Sequence, residues 1–185
     1  MADSLTTKRA FAGALKKLMV EKSFEKVSIG EICDACDMNR KSFYYHFHDK
    51  YELVIWIFKN EFLDRAKTRP EDSAWDTLSR LARYFYANKI FYRRILTVSG
   101  QNSFIEYFSS LCRDVFTKKI QEQLGNIMIT DLNIKIYSDF FVFAIYSWLT
   151  SPDNRDDRAF VRDTRNSVVF GAELAKRFAD SDIKR

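Results

Sequence analysis

The sequence predicts an all-α protein of about nine helices, and three observations lead to that fold class. Apolar residues recur at helical spacing through most of the chain. Only five glycines and two prolines interrupt 185 residues, which favours long elements over a many-turned β fold. Apolar residues make up 46% of the chain and aromatic residues 16%, enough to fill a sizeable core in one domain of ordinary size.

The first two helices are predicted by an apolar repeat and a capping motif. Phe11 and Leu15 begin a helical repeat, so the first helix is expected from about Leu5 to Lys22. The segment "SIGE", Ser28–Glu31, has the pattern of a capping box, in which the serine and glutamate side chains each accept a hydrogen bond from the other residue's backbone N–H. A second, short helix is therefore predicted to begin there and to end near Cys36.

Two more capped helices are predicted after a short turn. Asp37 opens the turn, because aspartate adopts a left-handed backbone conformation with modest strain. Asn39 is a good N-cap for a third helix from Arg40 to about Phe47. Asp49 caps a fourth helix that is expected to continue unbroken to about Ala66.

Five further helices are predicted beyond the segment "KTRPEDS", residues 67–73, which is the clearest boundary in the chain. Each is defined by apolar residues at helical spacing, and breaks rich in glycine, proline or polar residues separate them. Their expected positions are Trp75–Phe85, Lys89–Leu96, Phe104 to a stop at Gly125, Leu132 to a stop at Ser151–Asn154, and Asp157–Phe178.

The second and third helices form a helix-turn-helix pattern, since they are short, joined by a tight turn and braced by a longer helix before them. Phe43 and Phe47 are four residues apart and, with Met38, are expected to anchor the third helix to the core. Nearly every other side chain on that helix can donate a hydrogen bond and none is acidic, which suits a helix in the DNA major groove. Lys50 adds a cation beside a helix N-terminus, a favourable phosphate site. A solvated polar face is the competing interpretation.

The segment 11–57 resembles the TetR/AcrR family of bacterial transcriptional regulators. The most specific part is "SFYYHFHDKYEL", residues 42–53, where the family has a hydroxyl residue, an apolar residue, tyrosine, a variable residue and a His-Phe pair before a capped turn. The capping box lies in the same register. Ser23 and Asp37 stand where the family has glycine, so both are expected to adopt φ > 0 at a cost of roughly 1 kcal/mol.

The resemblance implies a helix-turn-helix DNA-binding domain, residues 1–50, and a C-terminal regulatory and dimerisation domain, residues 51–185. Such a protein binds a near-palindromic operator as a homodimer, by default as a repressor, and a small effector releases it. The segment "YFYANKIFYRRIL" adds a loose resemblance to regulators of dihydroxyacetone-kinase operons. Carried over position by position, the residues expected to contact double-stranded DNA are Ser28, Asn39, Arg40, Lys41, Ser42, Tyr44, Tyr45, His46 and Lys50.

Within that set the resemblance implies two kinds of contact. Ser42, Tyr44, His46 and Lys50 are expected to hold the DNA backbone, and Ser28 to donate to a phosphate as well as cap its helix. Arg40, Lys41 and Tyr45 occupy the variable positions that contact bases or flanking phosphates.

Aromatic residues on the fourth, fifth, seventh and eighth helices are candidates for an effector pocket, because those helices surround the inducer cavity in the family. Tyrosines among them would supply polar groups to an otherwise apolar pocket, which suits a largely hydrophobic or aromatic small molecule. Core packing is the alternative for each of these residues. Trp56 is either a wall of the pocket or a filler at a hinge. The candidates are Trp56, Phe85, Tyr86, Phe104, Tyr107, Phe108, Phe140, Phe141 and Tyr146.

A stripe of small residues on the ninth helix predicts the dimer interface. Thr164, Val168, Gly171 and Ala175 repeat with spacings of four, three and four, and small residues let another helix approach closely. The symmetric result is an isologous homodimer in which the eighth and ninth helices pair with their copies. The alternative is that this stripe faces the body of its own subunit.

Other function classes are disfavoured by the sequence. Cys33 and Cys36 have the spacing of half a zinc site, but no second half follows, so neither a metal nor another cofactor is expected. The longest apolar run, Phe140–Leu149, is too short to span a membrane. The N-terminus lacks the apolar core of a signal peptide, so a cytoplasmic location is the simplest expectation.

Two other functions remain open at this stage. An enzyme is not expected, because both histidines, His46 and His48, lie in the predicted DNA-binding stretch and there is no glycine-rich phosphate loop. A helical enzyme would require a deep pocket with convergent carboxylates. The second alternative is a regulator on the same fold whose aromatic surface is controlled by a protein partner in place of a small molecule.

Overall fold

The structure, a computed structural model, describes residues 2–65, 73–98, 103–124, 130–153 and 155–182. Within these ranges the protein is all-α, as predicted, and contains no β-strand. A short 3-10 helix, Phe24–Lys26, precedes the second α-helix, and a π-helical segment, Lys59–Leu63, continues the fourth. The α-helices are α1 Ala2–Glu21, α2 Ile29–Asp34, α3 Arg40–His46, α4 Lys50–Phe58, α5 Ala74–Ala87, α6 Lys89–Leu96, α7 Phe104–Leu124, α8 Asp131–Thr150 and α9 Asp157–Asp182.

The predicted N-caps of the DNA-binding region are confirmed. Glu31 N–H donates to Ser28 Oγ at 3.2 Å, and Ser28 N–H donates to Glu31 Oε2 at 2.9 Å, which completes the capping box of α2. The side chains of Asn39 and Asp49 each accept a hydrogen bond of 2.8 Å from the backbone N–H three residues on. Each such cap satisfies a donor that the first turn of a helix would otherwise leave unpaired, and contributes about 1 kcal/mol.

The turn between α2 and α3 has one of the two expected left-handed residues. Asp37 has φ of 54°, and beyond it Met38 N–H donates to Cys33 O at 3.0 Å, which closes the C-terminus of α2. Ser23, by contrast, has φ of −69° and ψ of 154°, so the prediction of φ > 0 there was wrong. Ser23 adopts an extended conformation because it is the residue from which the 3-10 helix begins, and an N-cap residue is extended.

Helix α4 differs most from the prediction. The α-helical geometry ends at Phe58 and the chain continues through a π-helical turn, in which Asp64 N–H donates to Lys59 O at 2.8 Å. A π turn spreads the residues over a wider ring, so the side chains beyond Phe58 lie on a different face from that of an unbroken α-helix. Such turns are frequent at functional sites.

Helices α5 to α9 follow the predicted order. Helix α6 has the predicted bounds, and α8 ends at Thr150, directly before the predicted stop at Ser151. Helix α9 extends four residues beyond Phe178, to Asp182. Of the predicted boundaries, Ala66, residues 67–72, Gly125 and Asn154 lie outside the described residues.

The hydrophobic core of the N-terminal part is built around Phe11 of α1. Its ring contacts Phe43 and Phe47 edge to face, with centroids 5.2 Å and 6.4 Å away. Phe43 is 0% and Phe47 2% exposed, and Met38 packs against the same cluster, so the predicted anchors of α3 are confirmed. Burial of each phenylalanine contributes about 1.5–3 kcal/mol, and it fixes which face of α3 is exposed.

The core of the C-terminal part is an aromatic cluster around Phe58 of α4. The ring of Phe58 is stacked with Phe85 at 5.8 Å and meets Phe104 and Phe108 at 5.4 Å and 5.8 Å. All four side chains are almost fully buried. This cluster is continuous with the N-terminal core. Helix α4 is therefore shared between the two parts of the molecule.

Candidate nucleic-acid interface

Helix α3 presents an exposed surface rich in hydrogen-bond donors. Tyr45 is 84% and Tyr44 57% exposed, and Arg40 and Lys41 are exposed beside them. The opposite face is fixed by the buried phenylalanines of α3, so these side chains are held outwards. The helix carries no acidic residue. Such a surface can donate to phosphate oxygens and to base edges without repelling the polyanion.

Arg40 is held by a close approach between α2 and α3. A Cβ atom built on Gly30 of α2 would lie 2.5 Å from an Nη atom of Arg40, so the guanidinium passes directly over the glycine backbone. Gly30 is buried beneath it. The lack of a side chain at Gly30 thus leaves the space that the Arg40 guanidinium occupies.

The other residues that are predicted to contact DNA on this face already make contacts within the protein. Ser28 Oγ donates to Glu31 Oε2 at 2.9 Å, and Asn39 serves as the N-cap of α3. Ser42 and His46 are half-buried, and the His46 ring meets the Tyr45 ring edge to face at 4.8 Å. These residues lie beside the exposed donors, where they can support the contact surface.

Lys50, at the first position of α4 as predicted, makes hydrogen bonds within the fold. Its ammonium group donates to the carbonyl oxygens of Phe24, Glu25 and Val27 at 2.8, 3.1 and 2.8 Å, and lies 4.6 Å from the centroid of the Phe24 ring. An ammonium has three N–H donors, and all three have acceptors in this arrangement. Burial lowers the pKa of Lys50. Lys50 therefore ties α4 to the segment before α2.

The nine candidates for an effector pocket fall into separate environments. Phe85, Phe104 and Phe108 are core residues in mutual contact around Phe58, and not the walls of an open pocket. Tyr86 is 39% and Phe140 42% exposed. The three that are half-buried on α7 and α8, where a ligand could reach them, are Tyr107, Phe141 and Tyr146.

Trp56, one of the residues expected to line an effector pocket, faces the DNA-binding region. Its ring meets Phe47 at 5.9 Å, and the ammonium of Lys8 lies 6.0 Å from its centroid. The reason is helical geometry: Trp56 and Phe58 are two residues apart on α4 and so project from different sides of the helix. Trp56 thus packs between Lys8 of α1 and Phe47, directly after α3.

The predicted dimer stripe on α9 is only partly exposed. Thr164 is 6% exposed because the first half of α9 packs against α5, so this residue belongs to the subunit's own interior. Val168, Gly171 and Ala175 are exposed, and a Cβ atom on Gly171 would meet nothing within 4 Å. Large apolar side chains outside this stripe are exposed on α8 and α9: Leu132, Ile136, Tyr137, Phe140, Phe143, Val169, Phe170, Leu174 and Phe178.

A polar network that the sequence analysis missed joins α1 to the C-terminal part. Lys16 of α1 binds both carboxylate oxygens of Glu61, at 2.7 and 2.5 Å, and donates to Asn88 Oδ1 at 3.1 Å. The Tyr84 hydroxyl donates to Glu61 Oε2 at 3.0 Å, so the 2.6 Å contact between Tyr84 and the buried Tyr92 has Tyr92 as donor. Burial raises the pKa of both tyrosines, which keeps both phenols protonated.

Arg94 of α6 makes a second connection to α1. One Nη atom donates to Met19 O at 2.6 Å and to Lys22 O at 2.5 Å, the carbonyls at the C-terminal end of α1. Carbonyls at a helix C-terminus lack partners in the helix, and a cation there is favourable. No local pattern in the sequence distinguishes Arg94 from its neighbour Arg93, since only the fold brings α6 against α1.

The cysteines and the acidic residues form no metal site among the described residues. Cys33, Cys36 and Cys112 are free, and burial raises the pKa of each thiol, for Cys112 to about 12. The helices described here are each too short or too polar to cross a lipid bilayer.

A helix-turn-helix unit with an exposed, donor-rich and acid-free second helix defines a DNA-binding protein. Two family models match the chain: residues 13–56 match the model for bacterial regulatory proteins of the tetR family, and residues 72–152 match a transcriptional regulator C-terminal region of the same family. The chain belongs to the TetR family of transcriptional regulators.

Two relatives are similar over most of the chain. The HTH-type dhaKLM operon transcriptional activator DhaS of Lactococcus lactis subsp. lactis (strain IL1403) is 29% identical over 182 residues, which cover 97% of this chain and 88% of DhaS. The Transposon Tn10 TetC protein of Escherichia coli is 24% identical over 152 residues, 74% of this chain and 77% of that protein. The first of these agrees with the subgroup indicated by the segment "YFYANKIFYRRIL".

Solved structures with low sequence identity have the same fold. A TetR transcriptional regulator from Streptococcus agalactiae 2603V has a TM-score of 0.66 at 16% identity, covering 87% of this chain and 92% of that one. NalD, the secondary repressor of the MexAB-OprM multidrug efflux pump in Pseudomonas aeruginosa, has a TM-score of 0.59 at 18% identity, covering 92% and 98%. The dihydroxyacetone kinase operon activator DhaS has a TM-score of 0.53 at 24% identity, covering 93% and 96%.

Proposed function

We propose that the protein binds a near-palindromic DNA operator as a homodimer and that α3 of each subunit enters the major groove. The observation that carries this proposal is the exposed surface of Arg40, Lys41, Tyr44 and Tyr45 on a helix that two buried phenylalanines lock to the core. Tyr44, Ser42 and His46 position the DNA backbone, while Lys41 and Tyr45 read bases. Lys50 and Asn39 act indirectly, by holding the ends of the helices that carry this surface.

The exposed apolar residues of α8 and α9 are the proposed dimer interface. Phe143, Phe170 and Phe178 are 67%, 68% and 60% exposed, an unusual solvent exposure for side chains of this size. Pairing α8 and α9 with their copies would bury them in an isologous contact. The dimer would place two α3 helices about one helical turn of DNA apart, roughly 34–36 Å. A protein that acts on chromosomal DNA in this way works in the cytoplasm of a bacterium.

Release from DNA requires a path between the C-terminal part and α3. We propose that Glu61, on the π-helical end of α4, and Arg94, on α6, carry it, because both contact α1. An effector can lower DNA affinity only if it binds the released arrangement more tightly than the DNA-bound one. A typical coupling free energy is about 1–3 kcal/mol.

The proposed effector is a small, largely apolar or aromatic molecule that packs on the half-buried residues Tyr107, Phe141 and Tyr146 of α7 and α8. The alternative is control by a protein partner, which the tight packing of Phe85, Phe104 and Phe108 favours, because an effector would have to displace core side chains to enter there. Thermal stabilisation of the purified protein by compounds from a library supports the first, and stabilisation by a partner protein alone supports the second.

Whether the protein represses or activates transcription is a separate part of the proposal. The expectation from the sequence is repression. DhaS is named an activator and NalD a repressor, so relatives of both kinds share the fold. A promoter fused to the operator and a reporter gene gives the answer: a repressor lowers expression when the protein is present, and an activator raises it.

The DNA contacts are tested by anisotropy titration with the operator and with a scrambled duplex. Tyr44→Ala is expected to weaken binding to both duplexes by a similar factor, because phosphate contacts carry no sequence information. Lys41→Ala or Tyr45→Ala is expected also to reduce the preference for the operator over the scrambled duplex. The loss of a base contact should lower this difference in binding free energy by about 1–3 kcal/mol. The control is Lys118→Ala, an exposed lysine on α7. Equal affinities for wild type and all three α3 variants would contradict the proposal.

A further inference from the structure

An open groove of about 480 Å³ lies between α5 and α9, and four of its eight lining residues are arginines. Arg83 comes from α5, and Arg158, Arg162 and Arg165 come from α9. The three on α9 are four and three residues apart, so they share one face of that helix and point along the groove. None of the nine residues expected to form an effector pocket lines it.

The carboxylates near the groove balance only part of this charge. Asp157 is the acidic residue in the lining, and its Oδ2 lies 3.8 Å from Arg83 Nε. Arg162 Nε donates to Asp163 at 3.0 Å, but Asp163 also accepts from Arg155 at 2.8 Å. The lining therefore holds four cations against one carboxylate, and Asp163 is shared with an arginine outside it.

Arg158 and Arg165 have no carboxylate partner among the described residues. Arg165 lies over the Trp75 ring, with its guanidinium carbon 5.8 Å from the centroid, which holds that side chain along the wall of the groove. Like charges one helical turn apart destabilise a helix, and Asp163 offsets only part of this charge because it also accepts from Arg155. The repeated arginines of α9 thus favour the presence of an anion.

The chemistry of the lining specifies what kind of anion fits. Guanidinium groups present planar pairs of donors that match the oxygens of a carboxylate or a phosphate. Asn166, at the end of the groove, adds an amide that can donate to an oxygen or accept from a hydroxyl. Arg83 and Arg162 have side chains 73% and 68% exposed, so a ligand reaches them without rearrangement of the core.

We propose that this groove is a binding site for a small multivalent anion, a phosphate monoester or a polycarboxylate. The site lies on the C-terminal part, is separate from α3, and does not depend on the proposed operator contacts or on the proposed apolar effector. The property that the two ligand classes share is a cluster of anionic oxygens, which several guanidinium groups bind together.

The test is isothermal titration calorimetry of the full chain with inorganic phosphate, pyrophosphate and citrate, each at one constant ionic strength set with sodium chloride. The wild type is expected to bind at least one of the three. Arg158→Ala/Arg162→Ala is expected to weaken that binding by about fivefold, because two exposed charge contacts are lost and each contributes up to about a factor of five. Tighter binding of pyrophosphate assigns a phosphate ligand, and tighter binding of citrate a polycarboxylate.

Two further variants separate a built site from general positive charge. Arg93→Ala/Lys118→Ala removes two exposed cations from α6 and α7, outside the groove, and is expected to bind the probe as the wild type does. Arg158→Lys/Arg162→Lys keeps the charge without the planar donors and is expected to fall between the wild type and the alanine variant. Circular dichroism checks that each variant is folded.

Three results would overturn the proposal. In the first, the wild type binds none of the probes. In the second, the charge-matched control loses as much affinity as the alanine variant does. In the third, the alanine variant leaves anion binding unchanged and shifts the dimer dissociation constant, which would place these arginines in a subunit contact.

Discussion

At the scale of single residues, the DNA-facing surface depends on which side chains the fold already uses. Lys50 has the position and charge of a phosphate ligand, yet its ammonium group already donates hydrogen bonds to three backbone carbonyls. Tyr44 and Tyr45 are not held by the core in this way and remain exposed. Sequence spacing predicts which residues lie near the DNA, but only the structure shows which polar groups remain available to it.

Gly30→Ala tests whether the position of Arg40 matters for DNA binding. The new methyl group would collide with the guanidinium of Arg40, which is the far end of a flexible side chain and can move away. The free energy of unfolding is therefore expected to change by less than about 1 kcal/mol, the usual difference between glycine and alanine in a helix. DNA affinity is expected to fall by a factor similar to that of Arg40→Ala. Calorimetric melting and anisotropy titration measure the two quantities, and an affinity unchanged in Gly30→Ala but reduced in Arg40→Ala would refute the link.

Glu31→Gln is expected to reveal a pH-dependent part of the stability of α2. An ion pair and hydrogen bond with Lys22, and hydrogen bonds from Ser28, lower the pKa of Glu31 from its ordinary 4.5 to about 2. A carboxyl with a lowered pKa in the folded state stabilises the protein above its unfolded-state pKa, and this stabilisation is lost as the pH falls from about 4.5 towards 2. Glutamine retains the capping hydrogen bond but lacks the charge.

Urea unfolding of wild type and Glu31→Gln at several pH values measures this effect. The wild type is expected to be the more stable of the two at neutral pH, and the gap should narrow below about pH 4.5. Glu25→Gln, which removes a charge from the adjacent 3-10 helix, is the control. A gap of the same size at pH 3 and pH 7 would show that the charge of Glu31 has no part in it.

At the scale of helices, α1 connects the DNA-binding region to the rest of the molecule. Arg94 of α6 binds carbonyl groups at the C-terminal end of α1. Glu61, at the π-helical end of α4, binds Lys16 in the middle of α1. A π turn is a distorted element that can change register, so Glu61 lies where a small rearrangement of α4 would reach α1. The helices that form the aromatic core thus also determine the position of the helix-turn-helix.

Arg94→Ala is expected to loosen α1, and Arg93→Ala is its matched control. Loss of the hydrogen bonds to Met19 and Lys22 should lower the free energy of unfolding by about 1 kcal/mol. Amide hydrogen exchange should accelerate in the last turn of α1. Arg93, the exposed neighbour, should show neither effect when replaced. Similar exchange rates in the two variants would exclude Arg94 from the connection.

The sequence predicted the helices well where a local signal marks their ends. The capping residues Ser28, Asn39 and Asp49 are local signals, and all three caps are present. The π turn at Lys59–Leu63 has no such signal, because it depends on how α4 packs against other helices. Periodicity also cannot separate the effector-pocket candidates from core residues, because aromatic spacing is the same for a cavity wall and for a packed core such as that around Phe58.

At the scale of the whole molecule, large apolar side chains are exposed together on two neighbouring parts of the chain. The exposed residues lie on α8 and on the second half of α9, where Phe170, Leu174 and Phe178 repeat every four residues. The sequence analysis selected the small residues of α9 and overlooked these larger ones, because a phenylalanine at helical spacing is more often part of a core. A dimer accounts for their exposure.

Gly171→Glu is expected to convert the dimer into a monomer that no longer binds the operator specifically. The subunit itself has room for the new side chain, since nothing lies within 4 Å of a Cβ atom at this position. Gly13→Glu is the matched control, because Gly13 on α1 is equally unobstructed. Sedimentation velocity measures the oligomeric state of both variants. A Gly171→Glu protein that remains a dimer would move the interface elsewhere on the surface.

Selection of bound duplexes from a random pool tests most directly whether this chain reads DNA as a dimer through α3. We expect enrichment of a near-palindrome whose half-sites are one helical turn apart, about 10–10.5 base pairs, or a multiple of that distance. Selection with the Lys41→Ala/Tyr45→Ala variant should enrich a different or less defined sequence. A pool that yields no common sequence, or one that both proteins select identically, would contradict the assignment of α3 as the helix that reads the operator.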